Sequence, residues 1–242
     1  MFKKLFYLSL FSLLFLINNS ETTASTKLFH GIGQSSNLRV GPGKDKKGLE
    51  VYSLNYVTAS AIFDENGKVI NLIVDVLELS TPNYDGSSMP HFSGWPGTSG
   101  YNITDHESKE VIGVSSNTVD YISEEVANWK SKRDRGNAYG MNPKNEWNKQ
   151  MDFYQNFFKG KSITEIEEWY NKNVSDKSGR PLSEDVSSES DKEKYGKLSV
   201  AEKKALVDVI AGATMSLKDN HGDIIGAIKK AYENKVEFTL NN

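Results

Sequence analysis

The chain reads as an α+β fold, a small antiparallel β-sheet with helices packed on it. Three observations predict this. Two β-rich runs, residues 56–63 and 69–79, flank Asp64-Glu65-Asn66-Gly67, and Asn-Gly there signals a hairpin because both residues tolerate the positive φ of a type I′ turn. Apolar residues then recur three and four apart in several later segments, the period of a helix with one buried face. A final β-rich run at 236–240 offers a closing strand.

Taken in order, Lys3 and Lys4 precede an apolar run over residues 5–17 and then a polar stretch, the layout of a secretory signal peptide. A membrane anchor is the other reading, but the run falls short of the ~20 residues that span a bilayer. Ala24, with Thr22 two before it, is the best cleavage point, so residues 1–24 are read as an export signal. Residues 25–48 are rich in Gly, Lys and Ser and read as a flexible lead-in. Gly31-Ile32-Gly33 lacks the third glycine of a dinucleotide fingerprint. The folded domain then spans 49–242. In its second strand Ile70, Leu72, Val74 and Val76 alternate with Asn71, Ile73, Asp75 and Leu77, so both faces are partly apolar and the second is expected to touch another element.

Residues 80–101 form a long loop of Ser, Thr, Pro, Gly and aromatics, a type of segment that is often functional. A short strand is expected at 111–114. Val119, Ile122, Val126 and Trp129 mark a first helix, and Trp147, Met151, Tyr154 and Phe158 a second. Ser162-Ile163-Thr164-Glu165 is a capping box opening a third, with Ile166, Trp169 and Tyr170 on its apolar side. Residues 174–198 read as a polar excursion, 201–210 as a short helix, and 217–233 as a last helix opened by Ser216-Leu217-Lys218-Asp219.

Composition narrows the function classes. With 37% hydrophobic and 25% charged residues the chain is an ordinary globular one, not a disordered one. There is no cysteine, which excludes disulfides, thiolate chemistry, Fe–S clusters and a lipid anchor on a cysteine. A net charge of −3 and no dense basic run argue against nucleic acid. His30, His91, His106 and His221 are scattered without metal-ligand spacing, so no metal site is expected. No activated serine accompanies Asp105-His106, and no catalytic residue is assigned.

The run Gly212-Ala213-Thr214-Met215-Ser216 carries the chemistry. Two small residues let a bulky group approach the backbone. A threonine hydroxyl just before a capped helix meets free N–H groups and the positive end of the dipole, a place suited to phosphate. On spacing alone the plainer reading is a small-residue turn into a helix with Ser216 as N-cap.

Asp208-Val209-Ile210-Ala211-Gly212-Ala213-Thr214-Met215-Ser216 closely resembles the flavinylation motif of the FMN-binding domain family, D-x-x-(S/T)-G-A-T-x-(S/T). Ala211 stands where the pattern has Ser or Thr. Outside the motif, the hairpin at residues 63–69 resembles the strand pair of such domains, and Arg135-Gly136-Asn137-Ala138-Tyr139-Gly140-Met141, followed by Glu146-Trp147 and Gly160-Lys161, is similar to secreted FMN-binding proteins of anaerobic bacteria. The resemblance implies FMN esterified to Thr214 by a Mg²⁺-dependent flavin transferase. Asp208 would position the acceptor, Gly212 and Ala213 would make room, and Ser216 would cap the helix or touch the phosphate. His91, Phe92, Trp95 and Tyr101 are candidates to hold the flavin ring; a loop pinned to the core by its aromatics explains them as well. With the export signal, the expectation is a periplasmic or extracellular electron carrier with membrane or extracytoplasmic redox partners, rather than an enzyme with its own substrate. The alternative is a secreted binding or adhesion module of the same fold without flavin.

Overall fold

The structure, a computed structural model, describes residues 26–86, 88–141 and 145–240; the export signal read at residues 1–24 lies outside them. In chain order the elements are strands β1 (Thr26–Lys44), β2 (Glu50–Phe63), β3 (Val69–Ser80), β4 (Asn102–Thr104) and β5 (Val111–Val114). Helices α1 (Val119–Ala127) and α2 (Lys132–Arg135) follow, then a 3₁₀ turn over Gly136–Tyr139, α3 (Trp147–Phe158), α4 (Ile163–Asn173), α5 (Glu189–Gly196) and α6 (Val200–Gly212). The chain closes with β6 (Lys218–Asp219), β7 (Gly222–Asp223), α7 (Ile224–Glu233) and β8 (Val236–Leu240). The main sheet is antiparallel throughout, in the order β3-β2-β1-β8, and the helices make the fold α+β.

The stretch read as a flexible lead-in is instead β1, an inner strand of that sheet. Its glycines hid it, because Gly disfavours strands unless another backbone must come close. Here one does. A Cβ on Gly31 would sit 1.8 Å from the Ala231 carbonyl oxygen, and one on Gly33 would sit 2.0 Å from that of Ala227. The two glycines therefore let α7 lie directly on the strand.

The hairpin of β2 and β3 is present, but its turn is not type I′. Only Gly67 has positive φ, at 75°. The Asp64 carboxylate leads the turn, accepting from the Asn66 N–H at 2.9 Å and the Lys68 N–H at 2.7 Å. A register shift beside it, at Ile62/Phe63, absorbs the extra length.

The core lies between the inner face of the sheet and helices α3, α4 and α7, with Phe63, Leu72, Met151, Tyr154, Ile166 and Ile228 almost fully buried. The outer face is less covered than the alternation in β3 implied: Ile32 is 50% exposed and Ile73 53%. One end of it does meet the 80–101 loop, where Phe92 and Tyr101 share a groove with Leu38, Leu54 and Leu79. The 174–198 segment is ordered. A bridge from Val174 to Pro181 opens it, α5 follows, and Leu182, Leu198 and Leu206 form a small second core with Trp169, Val186 and Tyr195. Among the described residues no helix is long and apolar enough to cross a membrane.

Candidate functional site

Around Thr214 the backbone departs from the sequence reading. Helix α6 ends at Gly212, and Ala213 is extended (φ −155°, ψ 133°). No helix begins at Leu217. The last helix starts at Ile224, capped by Asp223, whose carboxylate accepts from the Gly226 N–H at 2.7 Å. Between them β6 and β7 make a hairpin in which Asp219 accepts from the His221 N–H at 2.7 Å. Ser216 is thus not a helix N-cap; its hydroxyl accepts from the Lys218 N–H at 3.2 Å. Ser-x-x-Asp also suits a turn, because short polar side chains satisfy nearby N–H groups in either setting. The helix-start argument for phosphate at Thr214 accordingly does not hold.

Alternation takes its place. Ala213, Met215 and Leu217 point inward and are buried, while Thr214 is exposed and Ser216 half-buried on the other side. The segment is clamped from below. The side-chain oxygen of Gln150 on α3 accepts from the N–H groups of both Thr214 (2.8 Å) and Met215 (2.9 Å). The Tyr154 hydroxyl donates to the Met215 carbonyl at 3.0 Å. Burial pushes that phenol far above its ordinary value, with Arg180 opposing slightly, so it remains a neutral donor. Gly212 packs against Phe153, where a Cβ would come within 2.1 Å of the ring. The Thr214 hydroxyl itself makes only a long 3.5 Å contact to Gln150. Asp208 is exposed on α6.

Thr214 and Ser216 open into a cavity of about 350 Å³ lined by Tyr139, Met141, Trp147, Arg180, Asp219 and His221. A neighbouring lobe of about 550 Å³ shares Tyr139, Met141 and His221 and continues to Arg39, Glu78, Tyr84 and Arg135. The segment Arg135 to Met141, singled out by resemblance, thereby lines the cleft, and His221 stands at the junction of the lobes.

Register explains why the cleft is here. Ser35, Val57 and Val76 share one row across the sheet, Asn37, Asn55 and Glu78 the next inward row, and Arg39, Ser53 and Ser80 the one after. The inner face therefore turns from apolar to polar along its strands. Glu78 is buried and paired with buried Lys132 at 2.9 Å, with Arg39 at 3.8 Å. Burial raises the Glu78 carboxyl, but Lys132 and the charges of His221 and Arg39 hold it below the usual range. Burial lowers the Lys132 ammonium, but Tyr139 and Glu78 together hold it above its ordinary value. The pair is charged on both sides.

The proposed ring contacts lie elsewhere. Phe92 packs edge-on against Trp95 and Trp129, with centroids 5.4 and 5.8 Å away, and lines the outer-face groove. Trp95 is 72% exposed. His91 accepts at its carbonyl from the Trp129 indole at 2.7 Å, and burial pulls its imidazole below the ordinary value. These residues and Tyr101 line none of the cavity at Thr214, whose wall is set by the inner face. They pin the loop. Besides Arg135, the residues that line or brace the cleft are Gln150, Tyr154, Glu78, Lys132 and Arg39, to which the sequence reading gives no role in the site. A signal existed for Gln150 and Glu78: each is a polar residue set among apolar neighbours on one face of its element.

No protein-family model matches the chain, and no solved structure is similar to it. One curated relative is a reductase. The chain is 35% identical over 221 residues to a chlorophenol reductase of Desulfitobacterium hafniense. The match covers 88% of this chain but 60% of the relative, so the chain spans less than two thirds of that protein's length.

Proposed function

We propose that this chain is a redox protein that holds FMN through a phosphoester to Thr214 and relays electrons outside the cytoplasm. The observation that carries the reading is the presentation of Thr214. Its hydroxyl projects from an extended segment into a cavity, while Gln150 fixes the backbone behind it. The likeness to a named reductase supports a redox role.

The residues fit the group. Arg180 lines the cavity and makes no ion pair among the described residues, leaving its guanidinium for a phosphate. Tyr139, Met141 and Trp147 supply flat or polarisable apolar walls, and His221 a polar edge. The two lobes, about 350 and 550 Å³, fall within the ~300–1,000 Å³ of cofactor and ligand sites. FMN, when bound, supplies one- and two-electron chemistry; the chain's own part is to attach, orient and tune it. In attachment, the Thr214 oxygen would bond to the FMN phosphorus of FAD, the phosphoanhydride would break, AMP would leave, and the hydroxyl proton would pass to solvent. A separate Mg²⁺-dependent transferase would perform this. An ester keeps the cofactor from being lost by dilution in an exported protein, the location that the signal read at residues 1–24 implies.

The test is to produce the chain with a flavin transferase, denature it in SDS and illuminate the gel. Flavin fluorescence should stay with the band, and the intact mass should rise by FMN less one water. Thr214→Ala should abolish both while the protein still folds. A colourless, unmodified wild-type band would overturn the reading and leave the binding-module alternative.

A further inference from the structure

The larger lobe of the cleft has a charge imbalance that the protein leaves open. Arg39 and Arg135 line it from β1 and α2 against one buried carboxylate, Glu78, which Lys132 of the smaller lobe also engages. Glu78 is already engaged by Lys132 at 2.9 Å and by Arg39 at 3.8 Å. At the rim, Asp85 is engaged by Lys109 at 3.3 Å. Arg135 is left over.

Arg135 is 7% exposed, yet it forms no ion pair among the described residues. Its guanidinium lies 4.7 Å from the Tyr139 ring centroid, and among the described residues its terminal nitrogens reach only the Met89 sulfur at 3.7 Å and the Ser88 hydroxyl at 3.3 Å. Its Nε has no hydrogen-bond partner among the described residues. Burial pulls the group below its ordinary value, with Tyr139, Glu78 and Tyr84 opposing only in part. A buried cation without a paired anion is costly, and such a cost persists where a ligand supplies the anion. Tyr84 and Tyr139 form aromatic walls and Met89 and Met141 adaptable ones. A guanidinium fork matches the two oxygens of a carboxylate.

We propose that this lobe binds a small planar organic carboxylate, held by Arg135 with Arg39 behind it and flanked by Tyr84 and Tyr139. The site does not depend on the flavin, and the test is arranged accordingly. Thr214→Ala protein, which cannot carry the ester, is titrated with benzoate, with benzyl alcohol as the neutral counterpart and inorganic phosphate as a non-planar anion. Calorimetry should show benzoate binding and no binding of benzyl alcohol, with phosphate weaker than benzoate. Adding Arg135→Met should weaken benzoate at least ~10-fold, the loss expected for a charged hydrogen-bonded pair, and Arg39→Gln should weaken it less.

Unfolding temperature separates binding from architecture. Arg135→Met should melt at or above its parent, because an uncompensated buried charge is gone, and benzoate should raise the parent's midpoint but not the variant's. Should that variant fail to fold, Arg135→Lys keeps the charge but loses the fork and should still weaken benzoate. Benzoate affinity unchanged in the Arg135 and Arg39 variants would overturn the proposal. So would equal binding of benzyl alcohol, tighter binding of phosphate, or no benzoate binding at millimolar concentration.

Discussion

At one end of the inner face, Phe29, Phe63 and Val69 share a register row; at the other, Arg39, Ser53 and Ser80 do. The first end is covered by α7, whose Ala227 and Ala231 touch glycines of β1, and it stabilises the fold by removing apolar area from water. The second end is roofed by α2, the 3₁₀ turn and the β6–β7 hairpin. It carries a buried ion pair, an unpaired guanidinium, and the side-chain oxygens of Ser53, Asn55 and Ser80 without full hydrogen bonding. The strands are continuous, so the difference comes from side chains alone. Burial of charge costs stability wherever it is not compensated, and here that cost falls where the cavities and Thr214 are found.

This contrast can be broken from either end. The largest effect is expected at the apolar end: Gly33→Ala places a Cβ 2.0 Å from the Ala227 carbonyl, backbone that cannot rotate away. Urea denaturation should show a loss upward of ~5 kcal/mol, or no folded protein. At the polar end, Glu78→Gln leaves Lys132 buried without its counter-ion, and the same measurement should show about 3 kcal/mol of destabilisation.

The pH profile sharpens the same point. Folded Glu78 titrates below the 4.5 ordinary for a glutamate carboxyl, so the unfolded chain binds the proton more readily. The stability it contributes is fully present above that value and is lost as pH falls through the folded one. The acid limb of wild-type stability below pH 4.5 should therefore be shallower in Glu78→Gln. Gln150→Leu is smaller in effect. The buried Met215 N–H loses its acceptor, which should cost about 2 kcal/mol in urea melts and lower the flavin incorporated per chain. Thr214→Ala is the smallest: its side chain is exposed, and stability should stay within ~0.5 kcal/mol of wild type.

Elements with a strong local period were legible. Helix α3 begins and ends on the apolar stripe at Trp147 and Phe158, α4 opens at the Ser162–Glu165 capping box, and β5 and β8 fall where the β-rich runs placed them. Each is decided by neighbours within a few residues. Strand β1 was not legible, because its inward glycines have meaning only against the backbone of α7, about 200 positions away in the chain. The last helix was set too early at 217, because Ser216 and Asp219 satisfy turn N–H groups as readily as helical ones, and only the hairpin's seat on β1 and β2 selects between them.

For the site, local sequence carries the residue types: small residues around a threonine, no cysteine, and an arginine–tyrosine segment at 135–141. Tertiary structure decided what surrounds that threonine. It set Phe92 and Trp95 away from the cavity and brought Gln150, Arg180 and His221 to it. The reason is physical: hydroxyl, amide and guanidinium groups have no period of their own. Their placement follows from the register of strands and the packing of helices, which are settled by contacts far apart in the chain.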